Sequence, residues 1–144
     1  MDKPIIGWRE WVALPKLGVE RIKAKIDTGA RTSALHAFDI EVTKKNGQDW
    51  VRFTIQPNQK NDLDQQRCTC PVRDIRVITN SGGSQERRIV IETQLTLGTL
   101  SWPIEITLTN RDQMGFRMLL GRAALKERLF VDPGRSFCFA EPES

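Results

Sequence analysis

The sequence predicts a mostly-β domain, a barrel or sandwich with one short helix, and three observations carry that reading. Short runs rich in β-branched and aromatic residues alternate apolar and polar side chains with a period of two, as a strand with one wet face does. Clusters of Gly, Asn, Pro and Asp punctuate those runs. Only residues 122–129, built of alanine, leucine and charged side chains, have a helical composition.

Residues 5–14 and 19–26 read as the first two strands, joined by a turn at Pro15-Lys16-Leu17-Gly18. In the second, Val19, Ile22, Ala24 and Ile26 fall mostly on one face, with Arg21, Lys23 and Lys25 on the other. Residues 35–43 and 50–55 are further strands, split by Lys45-Asn46-Gly47-Gln48. Residues 56–66 are polar and read as a loop. Residues 72–78 and 88–97 flank Thr79-Asn80-Ser81-Gly82-Gly83-Ser84, a long hairpin with a flexible glycine tip. Residues 100–109 turn back on that hairpin through Gly98-Thr99. Met118-Leu119-Leu120 is a short buried run ending at Gly121, and the helix follows it. A final strand over 137–140 comes after the Asp132-Pro133-Gly134 turn, and no repeat of solenoid period is visible.

A chain of 144 residues is the size of one domain, expected to span 1–144. With 39% hydrophobic and 28% charged residues it is globular rather than disordered. Its net charge of +4 is spread along the chain, so neither nucleic acid nor a membrane is expected as a partner. No apolar run approaches the roughly 18 residues of a span, and the N-terminus has no apolar signal core, which predicts a cytoplasmic protein. Three cysteines, Cys68, Cys70 and Cys138, argue against a disulfide framework. Cys68-Thr69-Cys70 is too tight for ordinary zinc spacing, and His36 is the one histidine, so no metal or other cofactor is expected.

The segment richest in chemistry is Lys25-Ile26-Asp27-Thr28-Gly29-Ala30-Arg31-Thr32-Ser33. It sets a carboxylate at a turn that ends a strand, with a hydroxyl beside it and a glycine that lets another chain approach closely. By itself an Asp-Thr-Gly tripeptide is also an ordinary turn. Far downstream, Met118-Leu119-Leu120-Gly121-Arg122 opens the helix. This ordered pair, with a glycine-tipped hairpin between, resembles the retropepsin-like aspartic proteases. More narrowly, residues 27–37, 104–111 and 116–125 look like a bacterial family known as ATP-dependent zinc proteases, encoded beside an ATP-grasp ribosomal-protein glutamate ligase.

The resemblance implies a closed retropepsin-like barrel and a homodimer, one Asp per chain. Asp27 and its symmetry mate would share one proton and activate water, supported by Thr28 and Gly29, with Thr28 bonding its counterpart across the dimer. The hairpin would act as a flap, so that Ala30, Arg31, Ser81, Gly82, Gly83 and Arg122 would line the substrate site. Retroviral members carry an acid where Arg31 stands, paired to the arginine of the Gly-Arg motif; here the pair is like-charged. Either another carboxylate (Asp39, Glu41 or Asp112) neutralises the cluster, or the arginines face an acidic ligand. Arg31, Arg87, Arg88, Arg111, Arg117 and Arg122 fall near the cleft by motif order, which suits a Glu-rich peptide and makes the ligase a candidate partner.

The zinc and ATP labels find no His-Glu-x-x-His helix and no phosphate-binding lysine loop here. Ser33 and His36 lack an evident orienting acid for nucleophilic catalysis. Trp8, Trp11, Trp50 and Trp102 read as core or dimer-interface residues. Two rival readings stand beside the endopeptidase: a non-catalytic peptide-binding module on the same fold, and a metal-dependent hydrolase.

Overall fold

The computed structural model describes residues 3–57, 65–79, 82–110 and 115–139. Among the described residues the chain is all-β apart from one 3-10 turn and one helical turn. The strands are β1 (Ile5–Ile6), β2 (Arg9–Leu14), β3 (Val19–Asp27), β4 (Ser33–His36), β5 (Phe38–Lys45) and β6 (Gln48–Ile55). They continue as β7 (Gln66–Pro71), β8 (Asp74–Thr79), β9 (Gln85–Leu97), β10 (Leu100–Thr109), β11 (Met118–Gly121) and β12 (Phe130–Val131), with helix α1 at Arg122–Leu125.

The main sheet runs β10-β4-β11-β3-β2-β9-β8, and β10 also pairs with β9, so six strands form a ring with β8 outside it. The ring is not the simple closed barrel expected. Its seam between β2 and β9 is the single pair Ala13–Thr96, because the register of β2 shifts between Val12 and Leu14 and the strand ends at Pro15. A separate sheet β5-β6-β7 and a parallel ribbon β1–β12 complete the fold. One contiguous cluster of buried side chains joins these parts: Ile22, Leu35, Ile106 and Leu120 from the ring pack with Phe53 and Ile55 from β6. Burying such side chains stabilises by about 1.5–3 kcal/mol each.

The second strand follows its expected alternation, burying Ile22, Ala24 and Ile26, and extends one residue to take in Asp27. Residues 100–109 form a strand with the expected bounds. Several expectations need correction. The first run breaks at Gly7-Trp8, giving the short β1 apart from β2. The run at 35–43 divides at Ala37, whose N–H bonds Thr109 O as the chain leaves the ring for the other sheet. The helix ends at Leu125 instead of 129, because Lys126 is extended and Glu127 is left-handed (φ 68°).

No final strand begins at Phe137; residue 140 of that expectation lies outside the described residues. Glu10 dictates this tail instead. Fully buried, its carboxylate accepts N–H groups from Gly7 (2.8 Å), Cys138 (2.8 Å) and Phe139 (3.2 Å). A buried carboxylate is tolerable only when bonded in this way. The expected 56–66 loop lies mostly outside the described residues, but β7 at its end was not foreseen: its run Gln-Arg-Cys-Thr-Cys-Pro lacks β-branched apolar residues.

Candidate active site

β3 and β11 run parallel, and their register sets Gly121 opposite Asp27. β11 also pairs antiparallel with β4, so it lies between β3 and β4. The Asp-Thr-Gly loop that joins β3 to β4 must therefore pass over the end of β11. That passage explains Gly121: a Cβ there would stand 2.7 Å from Thr32 C and O and 2.8 Å from Arg31 C. The crossing is tied by backbone, with Arg122 N–H bonding Ala30 O at 2.8 Å and Ala123 N–H bonding Arg31 O at 3.0 Å. Ser33 Oγ accepts from Gly121 N–H at 3.1 Å.

Asp27 is both the last residue of β3 and the first of a turn closed by Ala30 N–H to Asp27 O at 3.2 Å. One carboxylate oxygen, Oδ1, accepts the Gly29 N–H at 3.1 Å, which orients the side chain. The Arg122 guanidinium donates from Nη1 to Gly29 O at 3.2 Å and Thr28 O at 3.4 Å. The arginine of the Gly-Arg motif thus satisfies itself on carbonyls of the loop, with no need of an acid at residue 31. Of the carboxylates considered as its neutraliser, Glu41 pairs with Arg52 at 2.9 Å on the other sheet, and Asp112 lies outside the described residues.

Asp27 lines a groove of about 1600 Å³. Gly29, Ala30 and Arg31 line it with Asp27, and Gly82 and Ser84 reach it from the β8–β9 hairpin. Thr28 is exposed and, like Gly83 and Arg122, does not line the groove. Gly83 has φ 86°, a left-handed turn that suits glycine at the hairpin tip. Asn80, Ser81 and Arg111 lie outside the described residues.

Five arginines (Arg31, Arg76, Arg88, Arg117 and Arg128) face two carboxylates, Asp27 and Glu105, around this groove. Arg87 does not line it. Arg76 is held by Asp74 at 2.9 Å and Glu105 at 3.0 Å, partners that raise its pKa. Arg88, buried, pairs with Glu86 at 3.1 Å and reaches Thr107 Oγ1, which in turn donates to Ser33 O at 2.9 Å. Arg76 and Arg128 were not singled out in the sequence, because neither lies in a motif.

Among the described residues no three His, Cys, Asp or Glu side chains gather closely enough to hold a metal ion. His36 lines the groove and stands 6.3 Å from the Phe38 ring. Burial pushes the Cys68 and Cys70 thiols up to about 11, with Cys70 adding to the effect on Cys68. Neither is a thiolate nucleophile at neutral pH. Trp102 and its neighbours pack as expected of core, whereas Trp8 and Trp11 lie partly exposed under cations, Arg9 at 4.6 Å and Arg21 at 4.8 Å respectively. No helix among the described residues is long and apolar enough to cross a membrane.

An aspartate loop crossing the end of a Gly-Arg strand, in a groove that a hairpin also lines, belongs to the retropepsin-like class, as the motifs implied. Within that class the chain belongs to the RimB-like family, described as retropepsin-like aspartic endopeptidase RimB, whose model matches residues 5–142. Curated relatives include proteins named probable alpha-L-glutamate ligase. The one from Shewanella pealeana is 49% identical over 97% of this chain and 31% of its own length. That from Desulfotalea psychrophila is 47% identical over 96% of this chain and 30% of its own. The chain thus spans about a third of the length of these relatives. A crystal structure of Lpg0085, a protein of unknown function from Legionella pneumophila, matches with TM-score 0.71 and 28% identity over 95% of this chain and 98% of that one.

Proposed function

We propose that this chain is one protomer of a homodimeric aspartic-type endopeptidase that cleaves glutamate-rich peptides. The observation that carries the reading is Asp27, oriented by its own loop on the wall of a groove that the β8–β9 hairpin also lines. In the dimer, Asp27 and the partner subunit's Asp27 share one proton, since two carboxylates a few Å apart do not both ionise cheaply. The ionised member takes a proton from water as its oxygen attacks the scissile carbonyl. The protonated member donates to the carbonyl oxygen. Collapse of the tetrahedral species breaks the C–N bond, and the amine leaves with a proton from the dyad. In this reading Thr28, which is exposed, bonds the partner's Thr28.

The acidic substrate is supported by the arginine excess in the groove and by the relatives' name, which describes an enzyme that attaches glutamate. A glutamate ligase is then a functional partner, its product the peptide consumed here. We take residues 1–144 as a single domain, working in the cytoplasm with its three cysteines free.

Asp27→Asn tests the chemistry. Cleavage of an oligoglutamate-tailed peptide should fall by about 10³ or more, the scale of lost general acid–base catalysis, with peptide binding retained. Equal cleavage by Asp27→Asn would remove Asp27 from the mechanism. Arg31, at the place of the retroviral members' acid, favours a second reading, a peptide-binding module of the same fold; wild-type protein that binds this peptide but never cleaves it between about pH 4 and 8 would establish that one.

A further inference from the structure

The five groove arginines are not equivalent. Arg76 and Arg88 already have carboxylate partners, and Arg117 is also engaged within the chain. Among the described residues, Arg31 and Arg128 pair with no carboxylate, and both side chains are exposed. Both line the groove, and each is tied to the α1 turn. Ala123 N–H bonds the Arg31 carbonyl at 3.0 Å at the start of the helical turn. Trp102 Nε1 donates to Ala124 O at 2.9 Å, which fixes the indole beneath that turn. Arg128, one turn on, lays its guanidinium on the Trp102 ring at 5.3 Å. Trp102, Ala123 and Ala124 line the same groove.

A guanidinium held over a buried aromatic ring is restrained in position, yet its N–H groups stay available to an acceptor. The N–H fork matches a carboxylate, and no such acceptor among the described residues occupies it. We propose that Arg31 and Arg128, the latter on Trp102, form a carboxylate-binding subsite where the groove meets α1. The inference rests on the reading that this groove takes a peptide, and it deepens that reading by assigning a specificity site. The carboxylate recognised is a glutamate side chain or the C-terminus of the peptide; both present the same group to the fork.

The test uses calorimetric binding to the full chain carrying Asp27→Asn, so that probes are not consumed. The probes are tetraglutamate free acid, tetraglutamate amide and tetraglutamine amide. Arg128→Ala should weaken tetraglutamate amide about tenfold and leave tetraglutamine amide unchanged, as expected for loss of one charged fork. If only the free acid is sensitive, the subsite stands and reads the chain terminus. Arg128→Lys should recover less than half of the loss, because lysine keeps the charge without the fork.

Arg31→Ala, on an exposed loop, provides a second variant should Arg128→Ala melt at a lower temperature than the parent. Arg67→Ala, an exposed cation on β7, should bind as the parent does. Equal affinities of parent, Arg128→Ala and Arg31→Ala for both acidic probes overturn the proposal, as does equal weakening by Arg67→Ala or no binding of any probe. Cleavage by the wild-type chain is scored separately. Arg128-dependent binding without cleavage removes the protease reading alone, and cleavage indifferent to Arg128→Ala in rate and affinity removes the subsite alone.

Discussion

A single methyl group added at Gly121 would press on the carbonyl carbon and oxygen of Thr32 and the carbonyl carbon of Arg31, all main-chain atoms. Main chain held by the Ala30, Arg31 and Ser33 hydrogen bonds yields less readily than a side-chain tip. Gly121→Ala should therefore cost about 3 kcal/mol, the upper range of overpacking, and displace the Asp27 loop with it. Urea denaturation measures the first effect; a loss under about 0.5 kcal/mol would mean that the loop crosses β11 with more room than the structure gives it. The chemistry and the packing of the site thus meet in one residue pair, Asp27 opposite Gly121. Arg122 performs the companion task, holding the loop by its carbonyls rather than by an ion pair.

Among the elements, the β8–β9 hairpin depends on charges at its root. Arg76 on β8 bridges Asp74 and Glu105, and so ties β8 across β9 to β10. The Ile75 N–H and then Arg76 hold the Asp74 carboxyl below its usual range. Because the folded pKa is lowered, the stabilisation is fully present above the ordinary carboxylate pKa of about 4 and is lost as pH falls through the lower folded value. Amides of β8 should therefore exchange faster at about pH 2.5 than at pH 5 once intrinsic rates are corrected, while those of β3 change little. Arg76→Ala at neutral pH should reproduce that loosening. Equal protection of β8 under all three conditions would show that strand pairing alone holds the hairpin.

For the whole molecule, the proposed chemistry needs two chains, since each carries one Asp-Thr-Gly loop. Specific activity should rise with protein concentration and level off, and the midpoint should match the dimer dissociation constant from sedimentation. Constant specific activity across a range in which sedimentation reports monomers would rule out a site shared between chains. At this scale too, cations of β2 and β3 (Arg9, Arg21 and Lys23) lie over the rings of Trp8, Trp11, Phe116 and Phe137.

Local signals in the sequence determined the all-β class, the 100–109 strand, the buried face of β3, the hairpin at 72–97 and the two motifs. Each depends on alternation, turn chemistry or residue type within a few positions, which the chain carries wherever it folds. Tertiary structure alone decided what lies next to what. It placed β11 between β3 and β4, so residues 94 positions apart in the chain share a hydrogen bond at the aspartate loop. It divided the 35–43 run at Ala37, where the chain changes sheets to satisfy its backbone on Thr109. It ended the helix at one turn and made an edge strand of the polar β7, whose Cys68 is buried against the shared core. Among the described residues it left Arg31 and Arg128 without carboxylates while pairing Arg76 and Arg88. Such pairings depend on long-range packing, and one-dimensional spacing holds no record of which charge will face which.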